Sequence, residues 1–145
     1  ISALTIGAQD LTADMKVVKT EAGEEISYAR RRIVMAAKAA GLAAIDTVYA
    51  DVDNEAGLIR ETEMIKGLGY DGKAVINPRQ IKPIHNVYMP TDDAIEKARV
   101  IIEAFVKAKK EGVCVVAING KMVDAPVVAR AQRVLQLAGI EIGGQ

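Results

Sequence analysis

Three polar clusters in this sequence carry side chains fit for chemistry: Gly7-Ala8-Gln9-Asp10, Asp51-Val52-Asp53-Asn54 and Asn77-Pro78-Arg79-Gln80. Each follows a short apolar run that reads as a strand, and in parallel α/β sheets ligands gather beyond the carboxyl ends of the strands. A carboxylate at such an end can hold a hard cation such as Mg²⁺, which takes one or two carboxylates and keeps water or substrate oxygens at its other positions. Asp10 is the first choice for that role, and its alternative is the capping of a turn or short helix. Asp51 and Asp53 alternate, so a strand that persists through them puts both on one side, where like charges raise one pKa. Ordinary N-cap preference favours the other reading, in which Asp53 or Asn54 caps the next helix.

The remaining candidates read as structural. His85 is the sole imidazole; it follows an Asn-Pro turn on a short helix, where packing or surface exposure competes with a general-base role. No His/Cys cluster has zinc-ligand spacing. Cys114 lies in an apolar strand with no basic neighbour in sequence and reads as a small core residue. Arg30, Arg31 and Arg32 cover most of a helical turn and are expected to form a solvated face. Gly67-Leu68-Gly69 lacks a following Lys-Ser/Thr and precedes a strand, so it reads as a helix stop rather than a phosphate loop. Asp124 follows a tight hairpin and precedes Pro126, a position that suits an N-cap.

The elements that position these residues are legible from composition and periodicity. Half of the 145 residues are apolar, with no Trp and one Phe, so the core is built from Ala, Val, Ile and Leu. Nineteen basic against nineteen acidic residues leave no electrostatic excess to draw nucleic acid or an anionic membrane. One Cys excludes an internal disulfide, and no apolar run approaches the roughly 20 residues of a membrane span. The expectation is a soluble, cytoplasmic protein. The chain opens at Ile1 within a strand and shows no leader, so it reads as a piece of a longer protein.

Strands are expected at about 3–7, 44–49 and 73–76, with helices at about 24–40, 55–66 and 79–86 and a long polar loop at 8–23. Strand and helix alternate with connections suited to parallel neighbours. After Pro90 the pattern changes. Thr91 is a good N-cap for a helix over 92–111, residues 113–118 read as a strand, Asn119-Gly120 is a type I′ hairpin signal, and Pro126 suits the first turn of a last helix. A boundary near 89–90 separates an α/β region, 1–89, from a small helix-hairpin-helix module, 90–145.

Four ordered motifs carry a family resemblance. Gly7-Ala8-Gln9-Asp10-Leu11-Thr12, Ala44-Ile45-Asp46-Thr47-Val48-Tyr49-Ala50-Asp51-Val52-Asp53-Asn54, Gly72-Lys73-Ala74-Val75-Ile76-Asn77-Pro78-Arg79-Gln80-Ile81 and Asn119-Gly120-Lys121-Met122-Val123-Asp124-Ala125-Pro126 resemble the carboxyl-terminal half of the citrate lyase beta-subunit family, within the wider HpcH/HpaI aldolase group. The resemblance spans nearly the whole chain. It implies that 1–89 holds the last strands and helices of a (β/α)₈ TIM barrel, and that 90–145 is a carboxyl-terminal extension. It further implies Mg²⁺-dependent cleavage of a citryl thioester, carried on acyl carrier protein or coenzyme A, to oxaloacetate and an acetyl thioester. A malyl-CoA-type lyase or thioesterase of the same group is the alternative, as is a non-catalytic fragment that acts through assembly. By the same resemblance Asp10 is a metal ligand, with a Glu ligand and a substrate-binding Arg expected upstream of Ile1. Gln9 stands where Glu is commoner. Asp124 is implied as an acid/base group reaching a neighbouring subunit of a homo-oligomer, commonly a trimer, with other citrate lyase subunits as further partners. Asn77, Pro78, Arg79 and Gln80 are implied as part of the wall that accepts the carrier.

Overall fold

Short strands of alternating burial and helices with one apolar stripe account for the architecture. The computed structural model describes residues 1–110, 112, 116–118 and 120–140. The chain divides into two compact units, Ile1–Tyr88 and Met89–Gln145.

The first unit runs β1 (Ala3–Thr5), α1 (Ala8–Asp14), α2 (Glu24–Ala39), β2 (Ala43–Asp46), α3 (Glu55–Leu68), β3 (Gly72–Lys73), a 3-10 turn (Pro78–Gln80) and α4 (Ile81–Tyr88). The strands form a parallel sheet in the order β1-β2-β3, with Ala3 opposite Ala43, Thr5 opposite Ile45 and Asp46 opposite Lys73. Alternation splits β2 between faces: Ala44 and Asp46 are buried, Ala43 and Ile45 partly so. Ala44 packs with Val34 and Ala37 of α2, Ile65 of α3 and Tyr70, and Leu4 of β1 joins them. One sheet face is therefore covered by α2 and α3, while Ala3 and Thr5 stand exposed on the other.

Side chains, rather than strand neighbours, end two of the strands earlier than the β-branched runs suggest. β2 stops at Asp46 because the next carbonyls are taken by side chains: Lys73 Nζ donates to the Thr47 carbonyl at 2.8 Å and Gln80 Nε2 to the Tyr49 carbonyl at 2.8 Å. β3 stops at Lys73. Ala74 N still donates to the Asp46 carbonyl, but Ile76 N turns to Gln80 Oε1, 3.1 Å away. The expected loop at 8–23 contains α1, stabilised by the Thr12 hydroxyl donating back to the Ala8 carbonyl at 2.8 Å and by Leu11 packing on Ile6, Ala8 and Ile26.

Local capping fixes the helix ends. Asn54 accepts from Gly57 N at 2.9 Å to start α3, and Gly69 at φ +101° ends it in the left-handed region, where glycine avoids a Cβ clash. Gly57 is required for a different reason: a Cβ there would collide with the Tyr49 hydroxyl.

Tyr70 ties α2 to the loop before β3, its hydroxyl donating to the Arg30 carbonyl at 3.0 Å, and Tyr88 donates to the Tyr70 carbonyl at 3.1 Å. Burial, reinforced by the negative charge of Asp46, pushes the Tyr70 hydroxyl up to about 12, and burial likewise raises Tyr88. An unfolded tyrosine titrates near ~10. The folded state therefore holds the proton more tightly, so this stabilisation is complete below pH ~10 and is lost as pH rises through about 12. The urea midpoint is expected to fall over that interval in the wild type and to fall less steeply in Tyr70→Phe; equal slopes would remove Tyr70 as a cause.

The second unit runs α5 (Asp92–Lys110), β4 (Val116–Ile118), β5 (Lys121–Val123) and α6 (Ala125–Leu137). Thr91 Oγ1 accepts from Ala94 N at 3.2 Å at the start of α5. β4 and β5 pair antiparallel with Ile118 opposite Lys121, and Gly120 has φ +74°. Ala98, Ala131 and Leu135 form the core between α5 and α6, flanked by Ile95, Ile102 and Val134. Asn119, Cys114 and the first half of the strand expected at 113–118 lie outside the described residues.

Candidate functional site

The carboxyl ends of β1, β2 and β3 place the three polar clusters in the first unit. After β1, Gly7 leads into α1 without a side-chain cap, and Asp10 occupies its first turn. The Asp10 carboxylate is exposed and lies over Gly7, 3.4 Å from where a Cβ on that glycine would stand. A single accessible carboxylate is the hard oxygen donor that Mg²⁺ takes, water or substrate oxygens completing its octahedron. Among the described residues no group of three His, Cys, Asp or Glu side chains could hold a metal. Asp10 thus suits one ligand position, and the described residues supply no full protein cage.

The second and third clusters meet. Arg79 Nη2 donates to Asp53 Oδ1 at 3.0 Å across an exposed pair, a contact of small energetic weight in water. Beneath it, buried Gln80 bonds both Tyr49 and Ile76, fixing the turn against the end of β2. Asn77 accepts from Arg79 N at 3.0 Å and Pro78 opens the 3-10 turn. Asp51, Asp53, Arg79 and Gln80 line a shallow cleft. The Asp51 carboxylate accepts from Asp53 N at 3.1 Å, while the cap of α3 falls to Asn54. His85 is exposed on α4.

Asp124, in the second unit, is the N-cap of α6: its Oδ1 accepts from Val127 N at 3.2 Å. It is half-buried.

The largest departure from expectation is Arg30. Arg31 and Arg32 are exposed, but Arg30 is 1% exposed. It donates twice to Asp46, from Nε to Oδ1 and from Nη2 to Oδ2, each at 2.9 Å. Lys73 Nζ reaches the same Oδ2 at 2.8 Å and donates to Glu61 Oε1. Arg30 and Lys73 with Asp46 and Glu61 thus close a buried cluster between the sheet and helices α2 and α3, and Lys19 Nζ adds a third cation 3.9 Å from Glu61 Oε2. Burial alone would lower the Arg30 pKa, but the hydrogen bonds and charges of Asp46 and Glu61 overcome it and hold it above its ordinary value. Arg30 Nη1 and Glu61 Oε2 make no hydrogen bond, although Glu61 Oε2 stands 3.1 Å from Arg30 Nη2 as an ion pair outside hydrogen-bond geometry. A usable signal existed in the sequence: Arg30 sits four residues from both Ile26 and Val34, on the buried stripe of α2.

The family model described as HpcH/HpaI aldolase/citrate lyase matches residues 1–78. Citrate lyase subunit beta of Haemophilus influenzae is 47% identical over 135 residues, 93% of this chain and 46% of that protein. The mitochondrial citramalyl-CoA lyase of Mus musculus is 35% identical over 138 residues, 95% of this chain and 41% of that protein. Among solved structures, the protein CitE of Mycobacterium tuberculosis, in complex with magnesium, acetoacetate and coenzyme A, superposes with a TM-score of 0.74 at 28% identity, covering 94% of this chain and 51% of that one. The chain spans about half the length of the curated relatives it matches.

Proposed function

The chain belongs to the HpcH/HpaI aldolase/citrate lyase family, and on that premise we propose that it is the carboxyl-terminal part of a Mg²⁺-dependent carbon–carbon lyase that cleaves a citryl thioester to oxaloacetate and an acetyl thioester. The observation that carries the reading is the Asp10 carboxylate, exposed at the carboxyl end of a parallel strand in a chain 47% identical to a citrate lyase subunit beta. The three parallel strands, with helices on one face, then stand for the last strands of a (β/α)₈ barrel, and 90–145 for its extension.

In this reading Asp10 holds Mg²⁺ as one ligand, and the bound ion supplies Lewis-acid polarisation of the oxygens that become oxaloacetate. Cleavage requires a base for the citryl hydroxyl proton and an acid for the carbon of the departing acetyl thioester. Asp124 is the acid/base group, acting in the site of a neighbouring subunit of a homo-oligomer. The turn Asn77-Pro78-Arg79-Gln80 forms a wall for the carrier. Gln80 holds the turn rigid through its two backbone bonds, and Arg79, paired at the surface with Asp53, is available to a carrier phosphate. Acyl carrier protein and coenzyme A both present such a group on the thioester arm. The coenzyme A in the mycobacterial structure supports a carrier of this kind.

A citramalyl-CoA or related malyl-CoA-type lyase is the second reading, favoured by the 35% identity to the mouse enzyme. Protein expressed from the complete reading frame, supplied with citryl-CoA and Mg²⁺, is expected to release oxaloacetate and to stop when the metal is chelated. Faster cleavage of citramalyl-CoA or malyl-CoA would favour the second reading, and cleavage of none of these would sink both.

Asp124→Asn separates the two uses of that side chain. Asparagine caps about as well as aspartate, so the melting temperature is expected to hold, while loss of the titratable group lowers kcat by roughly 10²–10⁴-fold. Unchanged kcat would reduce Asp124 to its cap.

A further inference from the structure

We propose that Thr47 is a positioning residue for the Asp10 carboxylate and so sets the protein's affinity for Mg²⁺; the inference rests on the reading of Asp10 as a metal ligand. The opening N–H groups of a helix have no partner within it, and in α1 the N-cap is Gly7, which has no side chain to accept. Ala8 is 0% exposed, so solvent does not serve its N–H. Its acceptor is the Thr47 hydroxyl oxygen, 3.4 Å away and 39 residues along the chain.

Thr47 is itself held. It is buried, it directly follows β2, and its carbonyl accepts from Lys73 Nζ at 2.8 Å. Lys73 is in turn fixed by Asp46 and Glu61. A continuous path therefore runs from the ionic cluster through Lys73 on β3 and Thr47 after β2 to the start of the helix that follows β1. From Ala8 the first turn is set by the Thr12 hydroxyl, which donates to the Ala8 carbonyl at 2.8 Å and the Gln9 carbonyl at 3.1 Å. Asp10 lies within that turn, two residues beyond Ala8. Its exposed carboxylate is thus directed through a helix whose first residue packs on Ile6 and Ile26 and whose first N–H is held by one hydroxyl.

Thr47→Val keeps the shape of the side chain and removes the oxygen. A buried N–H left without an acceptor carries a desolvation penalty, and the first turn of α1 relieves it by shifting, which misplaces Asp10. Partners one step behind a metal ligand typically change metal affinity 10–100-fold. Calorimetric titration of Mg²⁺ into the protein from the complete reading frame, without substrate, is expected to show Thr47→Val binding about 10-fold more weakly. The apparent KM for Mg²⁺ should rise in step, while kcat at saturating Mg²⁺ stays near wild type. Thr47→Ser, which keeps the oxygen, should restore affinity. Thr47→Ala loses the same oxygen without an added methyl and gives the same readout if the valine variant does not fold.

Wild-type Mg²⁺ affinity in Thr47→Val or Thr47→Ala, alongside an Asp10→Asn variant that has lost binding, would overturn the role of Thr47 and leave the metal ligand in place. Undiminished binding in Asp10→Asn would instead overturn the assignment on which the inference rests. A serine variant as weak as the valine one would also count against it, because the hydroxyl would then not be the group that acts.

Discussion

Asp10→Ala in the protein from the complete reading frame is expected to abolish Mg²⁺-dependent cleavage, lowering kcat by ~10³-fold or more, since Lewis-acid charge stabilisation supplies several kcal/mol and each 1.36 kcal/mol is about tenfold in rate. The carboxylate is exposed and enters no ion pair among the described residues, so its removal leaves packing intact and the melting temperature is expected to stay within about 2 °C, as for surface substitutions generally. Asp10→Asn should behave alike, because a neutral amide is a weak ligand for a hard cation. The decisive comparison is the Mg²⁺ titration of activity. A variant that keeps wild-type rate at the wild-type Mg²⁺ requirement would end the metal assignment, whereas loss of activity together with loss of folding would point to structure instead.

Asp46→Ala is expected to destabilise the first unit by ~3–5 kcal/mol, the range for breaking a buried ion pair by deleting one partner. Asp46 is 0% exposed and receives both Arg30 and Lys73. Its removal leaves Arg30 and Lys73, with Lys19 at the edge of the cluster, facing Glu61 alone, so positive charge in the interior goes uncompensated. On a total stability of ~5–15 kcal/mol that loss is large and should be plain in urea unfolding. Asp46→Ala combined with Lys73→Met restores the charge balance, and its cost is expected to fall short of the sum of the singles, as coupled neighbours require. Strict additivity, or a single-site loss below about 1 kcal/mol, the scale of surface pairs, would show that the charges are not mutually dependent.

The path through Thr47 links these two results. A cluster that fixes Lys73 also fixes the Thr47 carbonyl, and the Thr47 hydroxyl fixes the start of α1. Destabilising variants at Asp46 are therefore expected to weaken Mg²⁺ binding as well as folding, while Asp10 variants act on binding alone.

Much of the molecule was legible in the sequence because the relevant forces act over three or four residues. The caps at Asn54, Thr91 and Asp124 each accept from an N–H three residues on, and the stop at Gly69 needs only a left-handed φ. Apolar spacing of 3.6 and 2 distinguished the helices from the strands, and their alternation sufficed for a parallel α/β sheet. The Gly-Ala-Gln-Asp motif identified Asp10 as a side chain beyond a strand end, and the family match over residues 1–78 bears out the resemblance its motifs carried.

The tertiary structure alone decided where strands stop, what pairs with the buried arginine and what anchors α1. Periodicity assigns Arg30 to the buried stripe of α2 but does not say what stands opposite, and a buried arginine is explained only once a carboxylate is placed against it. The bonded members of the ionic cluster are 12 to 27 residues apart, and Thr47 meets Ala8 across 39. Those meetings depend on the register of β1, β2 and β3 and on the docking of α2 and α3, where burial makes a charge tolerable only beside its opposite.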